Sequence, residues 1–167
     1  ISNSPLCVPA RGSLLTGLLP NRHRAITNDL PIDPQVESIA TVMNRSGYRT
    51  GYIGKWHLDG IPRDKAIQAG DRLDFTEWKA CNCNHDFFNG YYFDEGNSRH
   101  AIDGYEPIGQ TNLAIDFIKR NHDQAWGLVL SYGPPHDPYA AVPERYQELY
   151  RDAELTIRGN VPDMIMD

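Results

Sequence analysis

Only three of the 167 residues are cysteine, too few for a disulfide framework. Cys81 and Cys83 stand one residue apart, a poor spacing for a mutual bridge, and Cys7 lies far from both. The cysteines therefore assign no redox compartment. No apolar run approaches the roughly 18 residues of a spanning helix, so no membrane span is expected. Positive charge is in short supply: 16 Lys and Arg face 22 Asp and Glu, for a formal net charge of -6. That balance argues against nonspecific nucleic-acid binding, and it requires a local positive cluster if the ligand is an anion. The opening Ile1-Ser2-Asn3-Ser4 has no basic region followed by an apolar stretch, which predicts no secretory leader within these residues. Internal repeats and low-complexity tracts are also missing.

What is present is ordinary for a globular chain, with 40% hydrophobic and 23% charged residues. The length predicts one domain over 1–167. With 14 Gly and 12 Pro, long ordered loops are expected. Cys7 to Gly17 reads as a short helix, Pro9 suiting a first helical position, Gly17 its stop, and Leu14, Leu15 and Leu18 a buried side. A loop with Pro20, Asn28, Asp29 and Pro31 follows. Residues 34 to 46 have Val36, Ile39, Ala40 and Met43 at helical spacing, ended by Gly47. Tyr48 to Ile53 reads as a strand stopped by Gly54.

From Gly60 to Pro107 the pattern predicts loops and short strands anchored by aromatics such as Trp78, Phe87 and Phe93. A helix is expected over 109–121, with Leu113, Ala114, Phe117 and Ile118 inward. Trp126 to Tyr132 reads as a buried parallel strand, and residues 143 to 150 as a short helix. The last residues, with Pro162, show no period. This rhythm of helix and strand is that of an α/β domain.

Three segments lie where strands end or helices begin, the places where open α/β sheets gather their sites. Cys7 precedes a helix start, whose free N–H groups attract anions and lower a thiol's pKa. Arg11 follows one turn later, able to face the same anion. A structural cysteine beside a surface arginine is the alternative. Lys55 and His57 flank Trp56 after a strand, and alternation places both on one side. Such a pair binds an oxyanion and moves a proton, or else is a solvated Lys with a packed His. His136, among Pro134, Pro135 and Pro138, is either a rigid acid or anion ligand or a turn residue capped by Asp137.

Cys7-Val8-Pro9-Ala10-Arg11, continued by Ser13-Leu14-Leu15-Thr16-Gly17, resembles the sulfatase signature. Gly47-Tyr48-Arg49-Thr50-Gly51-Tyr52-Ile53-Gly54-Lys55-Trp56-His57-Leu58 resembles the second signature of that family, and Pro135-His136-Asp137-Pro138 its third active-site histidine segment. The resemblance runs in family order from about Ser2 to the end of the chain. It implies a mixed, mainly parallel sheet flanked by helices, of the alkaline-phosphatase and sulfatase kind, incomplete in this chain. It further implies hydrolysis of sulfate esters through a formylglycine made from Cys7 by a formylglycine-generating enzyme, with Pro9 and Arg11 as recognition residues. The aldehyde hydrate would attack sulfur in line, and its second hydroxyl would then expel sulfate. Arg11 would hold the formylglycine, Lys55 and His136 would bind sulfate oxygens, and His57 would orient and deprotonate the hydrate. His136 would also assist the leaving alcohol. The substrate would be a sulfated small molecule or glycan, and the family favours a periplasmic or secreted setting.

The resemblance also implies a divalent cation, usually calcium, held by Cys7 as formylglycine and by carboxylate and amide oxygens. The family's Asp pair before the cysteine and its Asp-Asn or Asp-His pair far downstream are expected outside these residues, as is a second lysine. Asp29, Asp33 and Asp59 do not match the family's metal motifs. On that basis the 167 residues alone are expected to be inactive, to bind calcium weakly and to associate. A phosphonate or phosphate ester hydrolase of the same superfamily is an alternative, as is a non-catalytic anion binder with unmodified Cys7. Cys81-Asn82-Cys83-Asn84-His85 has too narrow a spacing for a usual zinc site and reads as an aromatic-rich surface loop. His23, His100 and His122 read as structural or solvated.

Overall fold

A computed structural model describes residues 2–154, 156 and 158–160. The unpatterned tail around Pro162 lies outside the described residues. The helices are α1 (Cys7–Thr16), α2 (Pro20–His23), α3 (Ile39–Arg45), α4 (Glu106–Asn121) and α5 (Glu144–Gln147). The strands are β1 (Arg49–Lys55), β2 (Glu77–Cys81), β3 (Tyr91–Phe93), β4 (Arg99–Ala101) and β5 (Trp126–Ser131). They form one sheet in the order β4-β3-β2-β1-β5. β1 runs parallel to both β2 and β5, with Gly51 opposite Glu77 on one side and Leu128 on the other. β2–β3 and β3–β4 are short antiparallel ladders. The sheet is therefore mixed and mainly parallel, as the resemblance implies.

The parallel centre follows from the sequence. β1 is buried from Thr50 to Lys55, so it has no polar face to alternate. An aromatic cluster packs against it: Tyr52 lies edge-on to Trp56 at 4.9 Å, and Trp56 edge-on to Trp78 at 5.0 Å. On the opposite face Phe117 and Ala114 of α4 cover Ile53, with Leu128 and Leu130 of β5 beside them. β1 does not stop at Gly54. That glycine has φ 108°, and a Cβ there would collide with the Ser131 carbonyl, so glycine permits the approach of β5.

Several boundaries and faces differ from expectation. The helix expected over 34–46 begins at Ile39 because the Ser38 hydroxyl accepts from Thr41 N–H while the Thr41 side chain accepts from Ser38 N–H. Upstream, the Asp33 carboxylate accepts from Gln35 N–H and holds a turn instead. Ile39 is half exposed although its spacing pointed inward. On α1, Leu15 is buried but Leu14 is 78% exposed, since Gly12 and Leu15 form the face that meets the rest of the chain. The second amphipathic helix starts three residues early, at Glu106, with Pro107 in its first turn. Ile118 lies partly exposed on that helix. β5 is half-buried rather than buried, because it forms the edge of the sheet.

Candidate functional site

Parallel pairing puts the C-terminal ends of β1, β2 and β5 at one edge of the sheet. There β1 delivers Lys55, Trp56 and His57. Trp56 N–H donates to the Cys81 carbonyl and His57 N–H to the Asn82 carbonyl, so these residues still follow β2. His57 takes φ 57°, a left-handed conformation uncommon outside glycine, so strand alternation is not what orients it. Lys55 is 2% and His57 4% exposed, which removes the solvated-lysine reading.

α1 is seated over this edge by Arg11. Its Nη1 donates to the Lys55 carbonyl at 2.9 Å and to Ser131 Oγ at 2.5 Å. The Tyr52 hydroxyl donates to the same carbonyl at 2.7 Å. His23 fills the space beside Gly12, its Nδ1 accepting from Ala25 N–H at 3.3 Å and its Nε2 lying 3.1 Å from Ser13 Oγ. His23 is thus structural, as expected. Cys7, free and half-buried, opens α1 one turn before Arg11, and the Val8 N–H donates to Asn28 Oδ1. Cys7 and Arg11 share a recess with Ala10, Ser2 and Ser131.

The Lys55 ammonium donates to His85 Nε2 at 3.1 Å, and the His85 ring stacks on His136 at 4.3 Å and 12°. Cys81, Asn82 and Cys83 are buried beneath, which corrects the expected surface loop. His136 is held by its own turn, Nδ1 lying 2.9 Å from the Asp137 carbonyl and 2.8 Å from its carboxylate. The turn reading of His136 therefore holds, and the same turn leaves its ring against His85. Arg63 adds a third cation nearby, paired in bidentate fashion with Asp29 at 2.7 and 2.8 Å.

Burial pushes His57 down to about 3, helped by the charges of Lys55, Arg11 and Arg63. Neither of its ring nitrogens has a hydrogen-bond partner among the described residues. Such a ring is neutral at physiological pH, with a nitrogen lone pair left unengaged. Behind Lys55, Glu106 is 1% exposed. Burial pushes its carboxyl up to about 7 against the pull of Lys55. Gln110 Nε2 donates to Glu106 Oε1 at 2.6 Å, while Glu106 Oε2 and Gln110 Oε1 are left without partners.

Sequence reasoning thus missed His85, Arg63, Ser131 and Glu106 as neighbours of the cluster. His85 had a signal in its Cys-x-Cys-x-His context, but the spacing spoke only of metal. Among the described residues no group of three or more His, Cys, Asp or Glu is arranged to hold a metal ion. Asp29 is bound to Arg63, Asp33 lies beside Arg24, and Asp59 beside Lys65. The cations gathered around His57, namely Lys55, Arg11 and Arg63, favour an anion over a cation. The described residues therefore do not assemble a calcium shell.

The profile of the family described as Sulfatase matches residues 1–161. The chain belongs to the sulfatase family. An ulvan-active sulfatase of Formosa agariphila is 33% identical over 96% of this chain and 32% of its own length. An endo-4-O-sulfatase of Bacteroides thetaiotaomicron is 26% identical over 96% of this chain and 38% of its own. This sulfatase chain spans about a third of the length of those two curated relatives. The crystal structure of a Bacteroides fragilis sulfatase, YidJ, superposes with a TM-score of 0.85 at 28% identity, covering 92% of this chain and 39% of the other. A second solved structure, holding D-glucosamine-2-N,6-O-disulfate, shares the fold with a TM-score of 0.74 at 21% identity.

Proposed function

We propose that these residues form the nucleophile-bearing and oxyanion-binding part of a sulfate ester hydrolase, with Cys7 the precursor of formylglycine. The observation that carries this reading is the convergence of Arg11, Lys55, His57, His85 and His136 on the strand ends below α1. Formylglycine, made by a formylglycine-generating enzyme, supplies in hydrated form the oxygen nucleophile. Arg11 holds α1 to β1 and β5 and keeps a positive charge beside residue 7. Lys55, desolvated, binds a sulfate oxygen more strongly than an exposed lysine would. His57 is uncharged and accepts a proton. His136, at the rim, contacts sulfate and assists the departing alcohol.

Calcium belongs to this reading through the family alone. A sulfated glycan is the substrate class we favour. The relatives include enzymes named for ulvan and for N-acetylglucosamine-6-sulfate. Beside His136, Phe87, Tyr105, Pro135 and Tyr139 line an aromatic recess of a kind on which sugar rings stack.

Two measurements test the reading on the full-length protein. After co-expression with a formylglycine-generating enzyme, the intact mass of the Cys7 peptide is expected to fall, as thiol becomes aldehyde. Turnover of an aryl sulfate is expected to exceed that of an aryl phosphonate and to vanish in Cys7→Ala. Retained turnover in that variant would falsify the assignment.

A further inference from the structure

His85 touches two members of the cluster, and its ring chemistry is fixed by one of them. An ammonium has only N–H donors, so the Lys55 contact at 3.1 Å requires a lone pair on His85 Nε2. The ring proton then sits on Nδ1. The Cys83 thiol lies 3.6 Å from the same Nε2. The face of the ring lies against His136. Burial, then the charges of Lys55 and His136, hold His85 below the usual histidine range, with Arg63 acting likewise and Asp137 opposing. The turn that carries the ring is stiff: Asn84 Oδ1 accepts from Asp86 N–H, and Asp86 Oδ1 accepts from Phe88 and Asn89 N–H.

We propose that His85 is a positioning residue of this site: Nε2 anchors one hydrogen of the Lys55 ammonium while the ring backs His136, so both present their free donors to one oxyanion. This assignment rests on the sulfate-ester reading for the identity of that oxyanion. A lysine side chain has many rotamers, and fixing one N–H leaves the other two aimed. A backed imidazole likewise cannot swing away from the substrate.

Two variants separate the two contacts. His85→Phe keeps a flat ring against His136 and removes the acceptor, while His85→Gln keeps an acceptor and removes the stack. Inorganic sulfate, titrated by calorimetry into the full-length protein near neutral pH, reads the anion site without turnover. His85→Phe is expected to weaken sulfate binding about tenfold, the loss of one charge-assisted hydrogen bond, and His85→Gln to weaken it less. With an aryl sulfate, the Phe variant should raise KM, and the Gln variant should lower kcat more than it changes KM. In the wild-type protein, the ring ¹⁵N spectrum of His85 should show the Nδ1–H tautomer. An Nε2–H tautomer, or wild-type sulfate affinity in both variants, overturns the assignment. Weakened sulfate binding in His85→Phe, in a protein that hydrolyses no sulfate ester, upholds the positioning role and removes the ester reading.

Discussion

The two ends of β1 are built on opposite terms. At the N-terminal end the principal buried polar groups are matched. Glu77 accepts from Arg49 at 3.1 Å, from Arg120 at 2.8 Å and from Asn121 at 3.2 Å. Burial alone would raise the Glu77 pKa, but these bonds outweigh it and hold the carboxyl below the usual range. Thr50 donates to Asn44, and Thr76 donates to the Thr50 carbonyl. At the C-terminal end, both nitrogens of His57, Glu106 Oε2 and Gln110 Oε1 are buried without partners. Only the indole N–H groups of Trp56 and Trp78, inside the aromatic core, share that condition among the described residues. An unmatched buried polar group costs free energy of about 1–3 kcal/mol, and a fold tolerates several together where a ligand is to complete them. The same strand is thus stapled at one end and left open at the other.

Substitutions can break this contrast. The largest effect is expected for Lys55→Met, which should cut sulfate ester turnover by about 10²–10³-fold with folding retained. Global unfolding of that variant, seen by circular dichroism, would place Lys55 with the stapled end instead. Next, Glu77→Ala should cost about 1–3 kcal/mol in urea denaturation while leaving sulfate affinity unchanged, because Asn121 loses a partner. A fall in sulfate affinity would show that the two ends are coupled.

Glu106→Gln sharpens the contrast through pH. The Glu106 carboxyl titrates at about 7 in the folded protein and at 4.5 ordinarily. Between those values the folded state binds the extra proton, so its stabilising contribution is complete below 4.5 and lost as pH rises through 7. The glutamine variant should flatten that decline and gain on the order of 1 kcal/mol over the wild type at pH 8. A steeper decline in the variant would mean that Glu106 is ionised in the fold as a counter-charge to Lys55. The smallest effect on stability is expected for Leu14→Ser, within about 0.5 kcal/mol, since that side chain is largely open to solvent at the rim of the recess by Cys7.

The sequence made the centre of this fold legible through local pattern. The apolar run before Lys55 and the run from Trp126 predict β1 and β5, and the spacing of Ala114 and Phe117 predicts α4. The segments holding Cys7, Lys55 and His136 stand out because each follows or opens an element. What stayed hidden depends on contacts across the chain. The exposure of Leu14 depends on which side of α1 His23 occupies. The start of α3 turns on the reciprocal bonds of Ser38 and Thr41, which a periodicity count overlooks. His85 meets Lys55 from 30 positions away, and α4 brings Glu106 within reach of the same charge; spacing carries no trace of either.

Arg11 divides its labour by atom. One nitrogen, Nη1, makes both bonds that rivet α1 to the sheet, to the Lys55 carbonyl and to Ser131 Oγ. Among the described residues, that leaves the N–H groups of Nη2 and Nε for whatever occupies the recess by Cys7. A lysine at this position would conserve the charge yet have to serve as both rivet and ligand with a single nitrogen. Loss of function in Arg11→Lys would thus report a helix that has slipped its seat as much as an anion that has lost its partner. The two are told apart by whether α1 amides exchange faster with solvent in that variant.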